Sequence, residues 1–115
     1  MNAAGRLPHS LVPMFKPKSV AIIGASATPF KHGNVTVKYL MAGGYEGAIY
    51  PINPAGGQIE GLVAYPSLRD VPGDVDCAII LVPAASTVAA IEDCAAKGVR
   101  AVIIGSSGYA EIGTA

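Results

Sequence analysis

The sequence predicts an α/β fold, a doubly wound and mainly parallel sheet in a three-layer α/β/α sandwich. Three observations carry this expectation. Residues 19–24, 76–82 and 100–104 are short, nearly continuous runs of aliphatic and β-branched side chains, the composition of strands covered on both faces. Helical patterns fall between these runs, so strands and helices alternate along the chain. The 14 glycines and 9 prolines stand between apolar runs as punctuation, the pattern of short loops joining packed elements. At 115 residues and 51% hydrophobic content, the chain holds one domain's worth of core.

Taken in order, the strand at 19–24 opens the fold. A helix over 34–42 follows, with Val37, Leu40 and Met41 at the spacing of one apolar stripe and Gly43 ending it. A shorter strand spans 48–52 and stops before Pro54. The stretch 65–73 carries Pro66 and Pro72 and reads as a turn-rich connection with one short helical turn in place of a full crossover helix. After the strand at 76–82, a helix over 86–97 turns Val88, Ile91 and Ala95 inward and Glu92 and Asp93 to water. Gly98 supplies its left-handed stop, and Lys97 complements its dipole. Right-handed crossovers then place the ligand crevice at the carboxyl ends of the strands. The sheet reads as trimmed at its C-terminal edge, where a further helix and strand would complete it.

Composition narrows the function. Eight basic and eight acidic residues balance, so neither a nucleic acid nor an anionic membrane is an expected partner. Residues 1–12 read as a leader before a domain at 13–115; with one arginine and no continuous apolar stretch, the leader is not a secretory signal. No segment approaches the roughly 20 apolar residues of a membrane span, and a cytoplasmic location is expected. Cys77 and Cys94 suit neither a zinc site nor a disulfide framework and read as buried thiols, so no metal is expected.

The chemistry is expected in the loop that joins the first strand to the first helix. Gly24, Ala25, Ser26, Ala27, Thr28, Pro29, Phe30, Lys31, His32, Gly33 and Asn34 are mostly small and polar and open directly into a helix. A helix start presents unpaired N–H groups and a positive dipole end, so backbone amides at the Gly33-Asn34 turn are expected to face a phosphate or diphosphate. Gly24 and Gly33 permit close backbone approach, and Ser26, Thr28 and Lys31 can add donors. The bland alternative is a solvated surface loop. The dinucleotide signature G-x-G-x-x-G is absent, and the second strand ends in Tyr50-Pro51-Ile52-Asn53-Pro54 without the acid that would hold a ribose diol. A phosphorylated ribose is tolerated there, and NAD is disfavoured.

Several motifs now stand in register. The opening Leu11-Val12-Pro13-Met14-Phe15-Lys16-Pro17-Lys18-Ser19-Val20-Ala21-Ile22-Ile23-Gly24-Ala25-Ser26 is followed by Tyr50-Pro51-Ile52-Asn53-Pro54, Gly61, Ala64-Tyr65-Pro66-Ser67-Leu68, Asp74-Val75-Asp76, Leu81-Val82-Pro83-Ala84 and Ser107-Gly108-Tyr109-Ala110-Glu111. In this order they resemble the CoA-binding domain of ADP-forming acyl-CoA synthetases, relatives of the succinyl-CoA synthetase α subunit. The resemblance covers nearly the whole chain from about Leu11 and implies a Rossmann-like fold at the N-terminal part of a larger protein.

It also implies coenzyme A or acyl-CoA as the ligand. The 24–34 loop would approach the CoA phosphates, Asn53, Pro54, Val82, Pro83 and Ala84 would flank the adenosine, and Ser107 and Gly108 would lie toward the pantetheine. Ala55 stands where many relatives carry a lysine that meets a phosphate, which leaves Lys31, His32 or Lys38 to supply that charge. The family's phosphohistidine lies in a later domain, and neither His9 nor His32 matches its motif, so no catalytic residue is expected here. His32 reads first as a solvated loop residue and second as a phosphate contact, Glu111 reads as a loop-ordering or surface carboxylate ahead of a general base, and Tyr65 and Tyr109 read equally as half-buried core or as crevice lining. The implied partners are the phosphohistidine and ATP-grasp parts of a synthetase, with acid-thiol ligase chemistry completed outside this chain. Two alternatives are a stand-alone or regulatory CoA binder and the CoA-binding part of a protein lysine acetyltransferase; an NAD-linked oxidoreductase domain ranks below both.

Overall fold

Alternation along the strands decides how this chain layers. In the computed structural model, which describes residues 17–105, the first strand β1 (Ser19–Ile23) turns Val20 and Ile22 to one face and Ala21 to the other, all three buried. Helix α1 (His32–Ala42) follows, then β2 (Ala48–Ile52), a small hairpin of β3 (Gln58–Ile59) and β4 (Leu62–Val63), and a 3₁₀ turn at Leu68–Asp70. Strand β5 (Cys77–Ile80), helix α2 (Ala84–Lys97) and strand β6 (Ala101–Ile104) complete the order.

The four long strands form one sheet in the order β2-β1-β5-β6, every pair parallel. Chain order reverses at β1: the first crossover runs outward to β2, and the next returns across β1 to β5. That reversal parts the connecting chain at the carboxyl ends of β1 and β5, where open α/β sheets bind their ligands.

Each sheet face has its own core. Val20, Ile22 and Cys77 pack with Val37 of α1 and Ile59 of the hairpin. Ala21, Ala78 and Ile80 pack on the opposite face with Leu68, Val71 and, from α2, Ala90 and Cys94. The expected three-layer, parallel α/β fold is therefore present, and the expected single helical turn in the 65–73 connection is the 3₁₀ turn. No described helix is long and apolar enough to cross a membrane.

Two helix faces differ from expectation. In α2 the buried residues are Thr87, Ala90 and Cys94, whereas Val88 is 67% and Ile91 40% exposed, and Ala95 also faces out. The inward stripe keeps the helical spacing but lies one residue, about 100°, from the expected one. Its side chains are small, and they let the helix lie close on Ala78 at the sheet. In α1, Val37 is buried and Leu40 half-buried as expected, but Met41 is turned to solvent and Gly33 and Asn34 take the inward positions.

The β3/β4 hairpin is absent from the sequence reading. Its turn is Glu60-Gly61, with φ of 52° and 81°, the paired left-handed geometry that two-residue hairpins use. Glutamate is a poor match for that conformation, at a cost of about 1–2 kcal/mol.

Both cysteines are buried and free. Burial, aided by the Asp93 carboxylate and Cys77, pushes the Cys94 thiol from 9.0 up to about 11. Well below pH 9 the thiol is neutral whether the chain is folded or not; as the pH passes through 9 the unfolded chain ionises first. Stability is therefore expected to decline as pH rises from about 9 to 11, by roughly 2–3 kcal/mol in all. Urea midpoints measured across this window check the effect, and Cys94→Ala should make the decline shallower.

Candidate functional site

At the end of β1 the chain turns at Gly24, whose φ of +98° suits a residue without a side chain. The N–H groups of Gly24 and Ala25 both donate to the Ile52 carbonyl, at 3.2 Å each, which ties the start of the loop to β2. On the other side, a Cβ on Gly24 would lie 2.7 Å from the Leu81 carbonyl oxygen, so the ends of β1 and β5 approach as closely as glycine permits. The loop then folds on its own polar groups. Ser26 Oγ accepts from the Thr28 N–H at 3.0 Å, and the Ala25 carbonyl accepts from Asn53 Nδ2 at 2.9 Å.

Lys31, extended at φ −73° and ψ 148°, precedes the first turn of α1. Its carbonyl accepts from the N–H groups of Asn34, at 3.0 Å, and Val35, at 2.9 Å. No side chain caps this helix, and among the described residues nothing accepts from the N–H groups of His32 and Gly33. The open amides thus lie one residue earlier than the expected Gly33-Asn34 pair, because the helix begins at His32 and already encloses the Asn34 N–H. Gly33 is buried against the loop; a Cβ there would overlap the Gly24 carbonyl oxygen and stand 2.9 Å from Ala25 Cα.

Helix α2 starts at the same place. Pro83 precedes it and accepts from the Ser86 N–H at 2.8 Å, and the N–H groups of Ala84 and Ala85 find no acceptor among the described residues. Between the two starts lies a cleft of about 220 Å³, lined by Gly24, Ser26, Lys31, His32, Gly33, Leu81 and Pro83. The unpaired amides and positive dipole end of α1 border it at His32 and Gly33, Pro83 brings the residue before α2 to its edge, and the exposed Lys31 and His32 stand in its wall. These are the elements of an anion site, and the residues present fit a diphosphate.

The remaining expected site residues divide. Thr28, Pro54 and Ala84 are exposed, while Val82 is half-buried against the core on the α2 face. Ala25 is buried in the core on the α1 face, so its backbone alone belongs to the loop surface. Asn34 is fully buried, its Nδ2 donating to the Ser26 carbonyl and to Glu60 Oε2, both at 3.0 Å. Asn53 spends its amide on Ala25 and its Oδ1 on the Ala55 N–H at 2.8 Å, a turn-forming bond. Tyr65 packs edge-on against Tyr50 with centroids 5.9 Å apart, both against the core. Lys38 stands outside the cleft, in a depression on the outer side of α1 with Phe30 and Tyr39. Ser107, Gly108, Tyr109 and Glu111 lie outside the described residues. Leu81 and Glu60 are not among the expected site residues: Leu81 stands in the Leu81-Val82-Pro83-Ala84 motif but reads as strand, and nothing local marks Glu60 as a partner of Asn34. Among the described residues no group of three His, Cys, Asp or Glu could hold a metal ion.

Residues 18–112 match the family described as CoA binding domain. The chain belongs to the CoA-binding domain family. This CoA-binding domain is 48% identical, over 90% of its length, to the α subunit of acetate–CoA ligase [ADP-forming] I of Pyrococcus furiosus. It is 47% identical, over 87% of its length, to acetate–CoA ligase [ADP-forming] II of Archaeoglobus fulgidus. The domain spans 23% and 15% of those two relatives. Among solved structures it superposes with TM-score 0.75 and 40% identity on a dinucleotide-forming acetyl-coenzyme A synthetase of Ca. Korarchaeum cryptofilum, covering 77% of this chain and 19% of that one. A conserved hypothetical protein of Pyrococcus furiosus superposes with TM-score 0.71 at 31% identity, covering 79% of this chain and 77% of that one.

Proposed function

We propose that this CoA-binding domain is the CoA grip of an ADP-forming acyl-CoA synthetase. The observation that carries the proposal is one cleft at the switch point of the sheet that is lined by the uncapped start of α1, His32-Gly33, and by Pro83, the residue just before the uncapped start of α2. In this reading the diphosphate of coenzyme A lies between those starts with Lys31 and His32 beside it, and the adenosine extends toward Asn53, Pro54 and Val82. The lack of a carboxylate at the end of β2 favours a phosphorylated ribose over a free diol. Coenzyme A supplies the thiol that becomes acylated. This chain binds and orients it, while phosphohistidine and ATP-grasp parts, working with it in the cytoplasm, complete the acid-thiol ligase reaction. The chain alone should show no turnover.

Thermal unfolding with CoA, dephospho-CoA and NAD tests the ligand. At about 100 times its dissociation constant a ligand adds roughly 2.7 kcal/mol to stability. CoA should raise the midpoint most and NAD least; stabilisation by NAD alone rejects the proposal. Equal shifts from CoA and dephospho-CoA would remove the part assigned to the 3′-phosphate.

A second reading, a CoA-binding protein without synthetase chemistry, draws on the Pyrococcus furiosus hypothetical protein of which this chain covers 77%. Formation of ATP from acetyl-CoA, ADP and phosphate by the native protein would favour the synthetase.

A further inference from the structure

One buried amide joins three separate pieces of chain, one of which, the loop at Ser26, lines the cleft. Asn34, on the first turn of α1, donates from Nδ2 both to the Ser26 carbonyl in the loop and to Glu60 Oε2 in the β3/β4 turn, 26 positions away. Its Oδ1 is buried and has no partner among the described residues. The amide keeps this orientation because both facing groups, a carbonyl and a carboxylate, only accept; turning it over would set Oδ1 against two acceptors. Ser26 in turn holds the Thr28 N–H, so the position of Ser26 sets the course of the loop. Glu60 occupies a left-handed backbone position that suits glycine or asparagine better, and its side chain is directed to a buried neighbour although the residue itself is exposed.

From this arrangement we infer that Glu60 is a positioning residue for the anion cleft. Acting through Asn34, its carboxylate fixes the position of Ser26 relative to the His32-Gly33 amides, all of which line the cleft, and so tunes affinity for the ligand without touching it. The inference rests on the CoA reading for the identity of that ligand, but the brace itself is independent of it.

Glu60→Gly and Glu60→Gln separate this role from a general contribution to folding. Glycine removes the acceptor and relieves the backbone strain, whereas glutamine keeps an acceptor oxygen within reach of Asn34. Glu60→Gly is expected to melt at or above the wild-type temperature, to shift the backbone amide resonances of Ser26, Thr28, His32 and Gly33 in ligand-free protein, and to weaken CoA binding about tenfold by calorimetry. Glu60→Gln should restore the resonances and bring affinity to within about threefold of wild type. Unmoved Ser26 and Gly33 resonances in Glu60→Gly, or wild-type affinity in that variant, overturn the brace. Equal loss in both variants also overturns it, since charge and not the hydrogen bond would then be responsible. Wild-type protein that fails to bind CoA sinks the functional reading instead, and the resonances still judge the brace.

Discussion

Gly33→Ala is expected to destabilise the chain by about 3 kcal/mol or more, and to abolish ligand binding with it. The added Cβ has no free space: it would overlap the Gly24 carbonyl oxygen and crowd Ala25 Cα at 2.9 Å. These are backbone atoms of a loop already tied to β2 through Ile52, so no side-chain rotation relieves the contact. Relief requires α1 to move off the loop, which opens the core around Val37, Ile22 and Ile59. Overpacking inside a well-filled core commonly costs about 1–3 kcal/mol, and a clash confined to rigid backbone belongs at or above the upper end. Gly61→Ala is the control. Gly61, unlike the helical Gly33, is left-handed, at φ +81°, and an added Cβ meets nothing within 4 Å, so only the conformational cost of about 1 kcal/mol should appear. Urea unfolding of both variants measures the contrast; similar losses would show that the close approach at Gly33 is unimportant.

The second large effect is expected at Gly24→Ala, and chiefly in binding. Here two penalties combine: a left-handed φ of +98°, and contacts of 2.7 Å to the Leu81 carbonyl oxygen and 3.2 Å to Val82 Cγ1. The simplest accommodation spreads the ends of β1 and β5, which form the floor of the cleft between the two helix starts. A shift of a few tenths of an ångström changes the reach from the His32-Gly33 amides to a phosphate in the cleft. CoA affinity should fall at least tenfold, beyond any loss attributable to unfolding, because hydrogen bonds to a charged group are worth about 1.5–3 kcal/mol and depend on geometry. Calorimetric titration with CoA at a temperature where the variant is folded measures it. Unchanged affinity would place the ligand's phosphates elsewhere.

How far the sequence could be read depends on the range of the interactions. The strands were legible because a parallel sheet covered on both faces demands continuous apolar runs, and residues 48–52 form β2 with the expected bounds. Helix faces were harder. Helical spacing in the sequence points to the bulkier Val88 and Ile91, but close packing on the sheet selects the small Thr87, Ala90 and Cys94 one position away. The hairpin carries only two residues per strand, and Glu60-Gly61 lacks the asparagine that usually signals such a turn. At the cleft, the glycine loop opening into a helix was visible locally. Two other features were not: the start of α2 meets it only once β1 and β5 lie side by side, and Asn34 is claimed by Glu60, a residue distant along the chain.

Helices α1 and α2 lie on opposite faces of the sheet yet begin at one opening. A molecule grasped by both therefore acts as a clasp on the sandwich, and neither outer layer can peel away without releasing it. Loosening the far side of either layer, such as the Lys97 contact that pins α2 to the Val71 carbonyl, would then weaken the grasp from a distance.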